Sequence, residues 1–377
     1  MVKILIISGI YPPEIGGAAS YAKLLMDELP KRGMVPEVLT YGSGSARGVR
    51  YVSRRWPKGM RHFIFFLSAM WRGHKAGIIL SADSSFGAAF VGALAARLLK
   101  KKFVVRVTGD YAWEQGVQRF GIGDFMDDFQ KKHYGFFVEF LRRCQRFSVA
   151  QAVVVIAPSA YLKRVVGSWG VPEHKIQVIY NAVELPRVSF SKIESRERLG
   201  LSGKIIVSAG RLVAWKGFGL LIEVCAALQA DFKDLKLVII GDGPEYKKLK
   251  DKSEKLKVQV SFTGALSKTE LSAYLKATDL FILNTAYEGL SHQIIEAMHL
   301  GSPVITTDVG GNPEVVKHNR NGILVPYNDH RALESGIREL LKDESKRSMI
   351  SQEAQRERPE FSKEHMIEKV VSLIHSL

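Results

Sequence analysis

The chain alternates short runs of branched aliphatic residues with longer amphipathic stretches along its whole length. These runs lack the polar–apolar alternation of half-exposed strands, so they predict strands buried on both faces, as in a parallel sheet covered by helices. With 377 residues, 46% of them hydrophobic, the chain can fill two such domains, and a disordered or collagen-like chain is excluded. In the first half we predict strands at residues 3–8, 37–41, 77–81, 103–107, 153–156 and 177–179, and helices at residues 17–32, 86–99, 131–147 and 160–166.

The second half repeats this pattern after a break at residues 180–195. Asn181, Glu184, Pro186 and Arg187 interrupt the apolar rhythm there, and Pro186 disfavours helix at the residue before it. We therefore predict an α/β chain of two doubly wound domains with a short linker. The second-half strands are predicted at residues 204–209, 236–240, 258–263, 280–283, 303–306 and 322–325, with helices that begin near Lys216, Pro244, Lys268, Ser291 and Asn312.

The sequence favours a reducing, intracellular setting. Cys144 and Cys225 cannot form a disulfide framework, and no His or Cys cluster has metal-ligand spacing. The apolar run at residues 4–7 is too short for the core of a signal peptide, and residues 86–99 fall short of the roughly 20 residues that a membrane span needs. We expect a cytoplasmic protein, either soluble or peripheral on the inner face of the cell membrane.

The net charge of +16 is concentrated in the first half. Residues 1–190 contain 27 Lys and Arg against 13 Asp and Glu, whereas residues 191–377 contain 27 against 25. This asymmetry predicts an anionic partner for the first half, either membrane lipid, an acidic substrate or nucleic acid. Nucleic acid is the least favoured because no nucleic-acid-binding motif is present. The alternative is that the charge serves solubility alone.

Three basic segments carry this charge. Residues 131–147 combine Lys and Arg with a set of apolar residues at helical spacing, which favours a helix whose apolar face packs on the sheet. Docking on an anionic bilayer is the alternative for this segment and for the charge as a whole. The other two segments are residues 47–61, which include Trp56, and residues 98–102. The apolar set is Phe137, Phe140, Leu141, Cys144 and Phe147.

Paired glycines mark the first candidate ligand-binding turn. Gly16 and Gly17 lie between the first strand and a helix, where backbone can come close to a ligand and exposed N–H groups favour an anion. A tight turn without any ligand explains the same pair. The segment lacks the GxGxxG fingerprint, so a dinucleotide cofactor is not indicated.

The turn after the first strand of the second half places Gly210 beside two cations. Arg211 follows the strand and Lys216 comes five residues later, just before a helix. This spacing is typical of a diphosphate clamp because Arg grips phosphate oxygens bidentately and Lys adds a mobile point charge. Solvated surface residues are the alternative. For Gly243, in a later turn, ordinary turn geometry is favoured because Pro244 suits the first position of a helix.

Two glutamates flank the start of another predicted helix. Glu288 precedes the helix, and Glu296 lies inside it on the same side, within about two turns. Backbone N–H groups of Gly289, Leu290 and Ser291 would face a phosphate or sugar at the positive end of this helix. A carboxylate in an otherwise apolar helix is costly without a partner, and ribose hydroxyls would be suitable donors. The alternative is a capping glutamate followed by a solvent-facing one.

Taken in order, these motifs resemble the retaining glycosyltransferases of family 4, which have the GT-B fold of two facing Rossmann-like domains with a cleft between them. Glu288 and Glu296, separated by seven residues, look like that family's signature. The resemblance is specific over residues 204–330 and looser over the rest of the chain. Other matching stretches are Gly210-Arg211, Lys216-Gly217, residues 241–244, 262–264, 297–298, 301–305, 310–314 and 321–325.

The resemblance implies how the site residues are used. The C-terminal domain would bind an activated sugar donor, and Arg211 and Lys216 would hold its diphosphate without a metal or other cofactor. Glu288 would contact the hydroxyls of the transferred sugar and Glu296 those of the ribose. The acceptor would enter from the N-terminal domain, near Gly16. The full set expected in donor binding is Gly16, Gly17, Gly210, Gly243, Gly289, Leu290, Ser291 and Glu296.

The resemblance also implies the reaction and the domains. We expect transfer of a hexose, mannose among the candidates, from a UDP- or GDP-linked donor to a glycan or lipid-linked acceptor of the cell surface. The anomeric configuration would be retained, and the leaving phosphate would help to deprotonate the acceptor. The acceptor-binding domain would span residues 1–185, the donor-binding domain residues 186–358, and a final helix in residues 359–377 would cross back to the first domain.

One motif of the family is altered. Members often have a His-Asp pair after a first-domain strand, with the His near the donor sugar, whereas this chain has Gly109 and Asp110 there. Asp110 remains a candidate for contact with the sugar or the acceptor. The identity of the sugar is open at this point because a hydroxyl contact made by that His is missing.

Two other functions are alternatives to a glycosyltransferase. A nucleotide-sugar epimerase on the same architecture would need acid–base groups placed around the sugar, and the arrangement of Glu288 and Glu296 argues against it. A basic nucleic-acid-binding protein fits the sequence pI of 9.7 but lacks a matching motif.

Overall fold

The parallel strands form two separate sheets, each in its own compact unit. The computed structural model of the chain describes residues 2–14, 16–183, 190–356 and 358–377. One unit comprises Met1–Tyr180 and Met366–Leu377, and the other comprises Asn181–His365. The predicted boundary between residues 185 and 186 lies outside the described residues, as do Glu184, Pro186 and Arg187 of the predicted linker. The predicted fold class, two α/β units with parallel sheets, is confirmed.

Seven strands form the first sheet within the described residues, and each pairs in parallel with its neighbours. In chain order they are β1 (Lys3–Ser8), β2 (Val35–Tyr41), β3 (Val49–Val52), β4 (Ile78–Ser81), β5 (Lys102–Arg106), β6 (Val154–Ala157) and β7 (Ile176–Val178), and their order in the sheet is β3-β2-β1-β4-β5-β6-β7. The connecting helices are α1 (Gly17–Glu28), α2 (Lys58–Lys75), α3 (Val91–Leu99), α4 (Tyr111–Phe120), α5 (Met126–Phe129), α6 (Phe136–Gln151) and α7 (Ala160–Ser168).

The second sheet has six parallel strands within the same described part of the chain. They are β8 (Lys204–Ala209), β9 (Leu235–Ile240), β10 (Val260–Gly264), β11 (Leu280–Leu283), β12 (Val304–Thr307) and β13 (Ile323–Val325), in the order β10-β9-β8-β11-β12-β13. Its helices are α8 (Lys192–Leu199), α9 (Phe218–Leu228), α10 (Tyr246–Lys255), α11 (Lys268–Ala277), α12 (His292–His299), α13 (Asn312–Val315), α14 (His330–Lys342) and α15 (Glu344–Arg356). The last helix, α16 (Lys363–Ser376), belongs to the first unit from Met366 onward.

Strand order reverses at one place in each sheet, and this fixes where a ligand can bind. In the first sheet the reversal lies between β1 and β4, and in the second between β8 and β11. At such a point the loops that leave the two strands turn to opposite faces of the sheet and open a crevice beyond the carboxyl ends of the strands. The residues that follow β1, β4, β8 and β11 are therefore the first to consider for function.

Buried aliphatic residues and local caps explain why these elements form. Strands β4 and β11 are buried along their full length, as their unbroken apolar sequences predict. Helix α8 begins with a capping box of Ser191 and Glu194, and α11 begins with the same box of Ser267 and Glu270. Strands predicted at residues 3–8, 204–209 and 280–283 are confirmed to the residue.

Several elements were not predicted, namely strand β3 and helices α2, α4, α5, α8, α14 and α15. Strand β3 is only four residues long. The charged Arg50 follows Val49 in it, so its sequence is not the unbroken apolar run that marks a buried strand. Helix α2 has apolar side chains on more than one face, which hides its helical period. In the described part of the chain, no helix has both the length and the apolar character to cross a membrane.

The segment at residues 131–147 corrects the sequence analysis. The helix begins at Phe136 rather than at residue 131 and runs to Gln151. Cys144 is buried as expected, but Phe137 and Phe140 are 64% and 44% exposed. The prediction that these two phenylalanines pack on the sheet was therefore wrong. The buried face of α6 consists instead of Val138, Arg142, Cys144, Gln145, Ser148 and Val149.

Candidate active site

The loops that follow β8 and β11 are joined by hydrogen bonds to backbone carbonyl oxygens. The carbonyl oxygen of Trp215 accepts from the Ala286 N–H at 2.7 Å and from the Thr285 hydroxyl at 3.2 Å. The Asn284 amide donates to the Gly217 carbonyl oxygen at 3.2 Å. These bonds hold residues 213–217 against residues 284–287 at the strand-order reversal of the second sheet.

Gly217 is required for this close approach. Its φ of 59° lies in the left-handed region, and a Cβ added there would lie 2.1 Å from the Asn284 carbonyl oxygen. Only glycine permits both the backbone conformation and the contact. The Lys216-Gly217 pair, singled out in the sequence for its charge, therefore also contains the residue that allows the two loops to meet.

Lys216 and Glu288 form an ion pair that the sequence analysis did not anticipate. The Lys216 ammonium group donates to the Glu288 carboxylate, and the two side chains are only 12% and 13% exposed. Glu288 is also held through its backbone, since its carbonyl oxygen accepts from the Gly311 N–H at 2.9 Å. A Cβ on Gly310 would lie 2.1 Å from the same oxygen. Three loops thus fix the position of Glu288.

The backbone N–H groups of Gly289, Leu290 and Ser291 form a row with no hydrogen-bond acceptor among the described residues. Ser291 is the N-cap of α12, and its hydroxyl accepts from the Ile294 N–H at 3.4 Å. All three residues are buried. Buried N–H groups are nearly always paired, so an unpaired row at the positive end of a helix is suited to bind an anion.

Glu296 lies on the second turn of α12 and is 8% exposed. Its carboxylate has no hydrogen-bond partner among the residues that the structure describes. Burial raises the pKa of Glu296 to about 7, and the positive charge of Lys268 opposes this shift only in part. An acidic group in this state is suited to accept hydrogen bonds from a ligand's hydroxyls, because such bonds would stabilise its ionised form.

Arg211, its neighbour Gly210 and the more distant Gly243 lie in loops at the same edge of the sheet. Arg211 is exposed and forms no ion pair within the described part of the chain, so its guanidinium group is free to bind. A Cβ on Gly210 would lie 3.8 Å from Lys216 Cε, which places Lys216 alongside the start of this loop. Close packing explains why residue 243 is a glycine, since a Cβ there would lie 2.4 Å from the Leu212 carbonyl oxygen.

The remaining predicted residues lie in the first unit. Gly16 is the N-cap of α1 and Gly17 its first residue. A Cβ on Gly16 would lie 2.6 Å from Ile10 Cδ1, so a packing constraint also explains this glycine.

Asp110 has a structural role in the first unit. It is 1% exposed and caps α4, with one carboxylate oxygen accepting from the Trp113 N–H at 3.0 Å and the other from the Gln130 amide at 2.8 Å. Burial raises its pKa, and these hydrogen bonds oppose the shift. These bonds give Asp110 a role in holding the start of α4, and its contact with a sugar or an acceptor stays a prediction.

A cavity of about 340 Å³ in the first unit was not predicted from the sequence. It lies at the strand-order reversal, and Gly9 after β1 and Asp83 after β4 contribute to its lining. One Asp83 oxygen accepts from the Gly9 N–H at 2.8 Å and the other from the Ser85 N–H at 2.9 Å, which aims the carboxylate at a fixed position. A sequence signal existed, because a polar run at residues 83–85 directly follows a buried strand.

Helix α2 and strand β2 supply further polar groups to this cavity. Tyr41 donates its hydroxyl proton to the Gly87 carbonyl oxygen at 3.0 Å, and its oxygen lies 2.7 Å from His62 Nδ1. Burial lowers the pKa of His62, and the positive charge of Arg61 adds to this effect. The Arg61 Nε atom is buried and has no partner within the described residues. The cavity therefore presents a neutral imidazole and a cation whose hydrogen-bonding capacity is not fully used.

The described residues contain no group of three or more His, Cys, Asp or Glu side chains arranged to hold a metal ion.

Two family models match successive parts of the chain. The model described as Glycosyltransferase Family 4 matches residues 15–187, and the model described as Glycosyl transferases group 1 matches residues 190–357. The second match contains Arg211, Lys216, Glu288 and Glu296. No support for the epimerase alternative comes from either model.

Individual proteins are similar over different lengths. An uncharacterized glycosyltransferase of Methanocaldococcus jannaschii is 29% identical over 94% of this chain and 93% of its own length. Seven further curated relatives are matched over only 41% to 59% of their own length. One of these is the N-acetylgalactosamine-N,N'-diacetylbacillosaminyl-diphospho-undecaprenol 4-alpha-N-acetylgalactosaminyltransferase of Campylobacter jejuni, 26% identical over 54% of each chain.

Solved structures share the fold over the full length. Anabaena HepE in complex with UDP-glucose superposes with a TM-score of 0.81, at 21% sequence identity, and the match covers 100% of both chains. This similarity establishes the GT-B fold.

The contact of Gly217 with Asn284 gives a stability prediction. Gly217→Ala should destabilise the protein by about 3 kcal/mol or more, because left-handed strain and a backbone clash add together. Gly170→Ala is the matched control: Gly170 also has a positive φ, 91°, but a Cβ there meets nothing within 4 Å, so a loss of only about 1–2 kcal/mol is expected. Urea unfolding measures both values, and equal losses would contradict the role given to the contact.

The pKa of Glu296 predicts how stability depends on pH. Since the folded-state pKa of about 7 lies above the unfolded value of 4.5, the neutral form stabilises the fold, and this contribution is lost as pH rises through 7. Between about pH 5 and about pH 8, Glu296 should lower the free energy of unfolding by up to about 3 kcal/mol, and Glu296→Gln should abolish this change.

Urea titrations at the two pH values test this expectation. Glu254→Gln, at an exposed position of α10, serves as the control and should leave the pH dependence of wild type unchanged. The assignment fails if Glu296→Gln retains the full pH dependence of wild type.

Proposed function

The chain belongs to the glycosyltransferases of GT-B fold, and from that membership we propose that it transfers a hexose-type sugar from a UDP-linked donor, with retention of configuration, to a glycan or lipid-linked acceptor. The observation that carries the proposal is the unpaired N–H row of Gly289, Leu290 and Ser291, which lies beside the ion pair of Lys216 and Glu288. UDP is preferred over GDP as the donor nucleotide because the structurally similar HepE binds UDP and UDP-glucose.

The second unit would bind the donor through positive charge at three places. The N–H row would accept phosphate oxygens at the N-terminus of α12, and Arg211 and Lys216 would neutralise the diphosphate. Glu296, buried and without a partner, would accept hydrogen bonds from the ribose hydroxyls. Because Lys216 is paired with Glu288 in this structure, an arriving diphosphate would compete with Glu288 for Lys216. Glu288 would then be released to accept a hydrogen bond from the transferred sugar.

The reaction would proceed on one face of the sugar. The bond between the anomeric carbon and the β-phosphate oxygen breaks while the acceptor oxygen bonds to the same face of that carbon. The acceptor's hydroxyl proton passes to an oxygen of the leaving phosphate. Lys216, Arg211 and the N–H row stabilise the negative charge that develops on the leaving group, and this would not require a metal ion.

The acceptor would bind in the first unit. The cavity beyond β1 and β4 offers Asp83, His62, Tyr41 and Arg61, a set able to bind the hydroxyl and anionic groups of a glycan headgroup. A lipid-linked acceptor is supported by the relative from Campylobacter jejuni, whose name specifies an undecaprenol-linked substrate. The protein would then act at the inner face of the cell membrane, with the basic first unit as the part that meets the anionic lipid.

Removal of the two cations should weaken nucleotide binding. We expect Arg211→Ala combined with Lys216→Ala to reduce UDP affinity at least ~100-fold, since two charge-assisted hydrogen bonds of about 1.5–3 kcal/mol each are lost. Calorimetric titration with UDP, GDP and ADP in the presence of EDTA measures the affinity, the nucleotide preference and the independence from metal. Lys247→Ala with Lys255→Ala, at exposed positions on α10, is the control for general charge. Unchanged UDP affinity in the first variant would show that the phosphate binds elsewhere.

Substitution of Glu288 should affect turnover more than nucleotide binding. Glu288→Gln keeps the shape of the side chain but removes the charge, and we expect kcat for UDP-hexose turnover to fall about 100- to 1,000-fold. Affinity for UDP alone should not fall, because Lys216 loses its competitor for the phosphate. Hydrolysis of the UDP-hexose, with water as the acceptor, provides the assay. Wild-type turnover in this variant would exclude Glu288 from contact with the reacting sugar.

A further inference from the structure

Large apolar side chains of helix α2 are exposed to solvent on the side of the helix that points away from the sheet. Its inner face, Phe65, Ala69 and Gly73, is buried, and a Cβ on Gly73 would lie 2.9 Å from Leu99 Cδ1, so this helix is packed tightly in place. The outer stripe repeats at intervals of three or four residues. It consists of Met60, Phe63, Leu67 and Trp71, which are 47%, 60%, 50% and 63% exposed.

Aromatic side chains of α4 and α6 extend this stripe. Phe136, Phe137 and Phe140 are 76%, 64% and 44% exposed at the start of α6, and the Phe120 ring stacks on Phe137 with the centroids 6.1 Å apart. Phe86 lies between α2 and α6, because its ring lies 6.0 Å from Phe140 and 5.7 Å from His62 on α2. We call the whole set the aromatic face. Its members are Met60, Phe63, Leu67, Trp71, Phe120, Phe136, Phe137 and Phe140.

Positive charge surrounds the aromatic face. Helix α2 contains Lys58, Arg61, Arg72 and Lys75 and no acidic residue. Lys58 and Lys75, like Arg143 and Arg146 on α6, form no ion pair within the described part of the chain. Lys75 lies 5.1 Å from the centroid of the Trp71 ring, an arrangement in which both the indole and the ammonium group can lie at an interface between lipid and water.

A soluble monomer rarely exposes this many large apolar side chains together, so the aromatic face is expected to be covered in use. The combination of Trp, Phe and Leu with unpaired Lys and Arg matches the chemistry of an anionic bilayer interface, where aromatic rings enter the headgroup region and cations contact phosphate. A partner of the same chain would bring its own positive charge to this surface, and the like charges would repel. Charge complementarity therefore favours lipid.

We propose that the aromatic face docks the first unit on an anionic lipid bilayer. This inference rests on the proposed function, because it places a lipid-linked acceptor beside its binding cavity. Arg61 and His62 of α2, together with Tyr111 and Glu114 of α4, line the cavity, and the same two helices carry Phe63 and Phe120 of the face. The headgroup of the acceptor can enter the cavity while its hydrocarbon chain stays in the bilayer.

Vesicle co-sedimentation tests the docking with the full-length chain. Wild type should bind vesicles of phosphatidylcholine with phosphatidylglycerol and should bind pure phosphatidylcholine vesicles at least ~10-fold more weakly. Phe63→Ser combined with Trp71→Ser should reduce binding to the anionic vesicles at least ~10-fold. Ile193→Ser combined with Met349→Ser is the matched control, since these side chains are 70% and 48% exposed in the second unit, and it should bind like wild type.

Two further readouts separate the possible failures. UDP affinity in the absence of vesicles should be equal in wild type and in the Phe63→Ser, Trp71→Ser variant, and equal midpoints of urea unfolding should show that the first unit of the variant is folded. Loss of UDP binding in wild type would refute the proposed function, whereas intact UDP binding without vesicle binding would refute the docking alone. Vesicle binding that is unchanged by the double substitution would also overturn the docking face. A wild-type dimer that the same substitution converts to a monomer would assign the face to self-association instead.

Discussion

The candidate site of the second unit depends on the hydrogen bonds that join the loop after β8 to the loop after β11. The carbonyl of Trp215 accepts from both Ala286 and Thr285, and this contact brings Lys216 to Glu288 across 72 residues of sequence. Strands β8 and β11 are adjacent because strand order reverses between them, so the topology of the sheet creates the ion pair. A change in one loop is therefore transmitted to charged groups on the other.

Much of the fold could be predicted because a strand buried on both faces has an unbroken run of apolar residues in its sequence. The apolar runs of β1, β8 and β11 are not interrupted by charge, whereas Arg50 interrupts the short strand β3. The residue types of the site could be located after the strands, but their partners could not. Asp110 illustrates the limit, since an aspartate before a helix suits both an N-cap and a ligand contact, and its burial and its contact with Gln130 could not be read from the sequence.

Helix α6 shows why periodicity alone misplaced the phenylalanines. A hydrophobic period of 3.6 residues indicates which residues share a face of a helix, but not which face packs against the rest of the protein. Here Arg142 points inward, where its guanidinium group lies 3.9 Å from the centroid of the Phe129 ring, donates to backbone carbonyls and pairs with Glu139 at 2.8 Å. A buried arginine with these partners is stable, and it turns Phe137 and Phe140 to the outside. The exposure of Phe137 and Phe140 thus accompanies an inward-facing cation that no hydrophobicity pattern could have indicated.

The two carboxylates of the second unit are prepared for different tasks by their surroundings. Glu288 is balanced by Lys216, whereas Glu296 lacks a hydrogen-bond partner among the described residues, and burial raises its pKa to about 7. In the proposed mechanism, a diphosphate brings negative charge that both Lys216 and the N–H row attract. Lys216 cannot neutralise Glu288 and the diphosphate equally, so donor binding strengthens Glu288 as an acceptor for the sugar's hydroxyls. The affinity of the sugar moiety would then be coupled to that of the phosphate through a single lysine, and the proposed UDP-sugar donor would bind more tightly than its two parts bound separately predict.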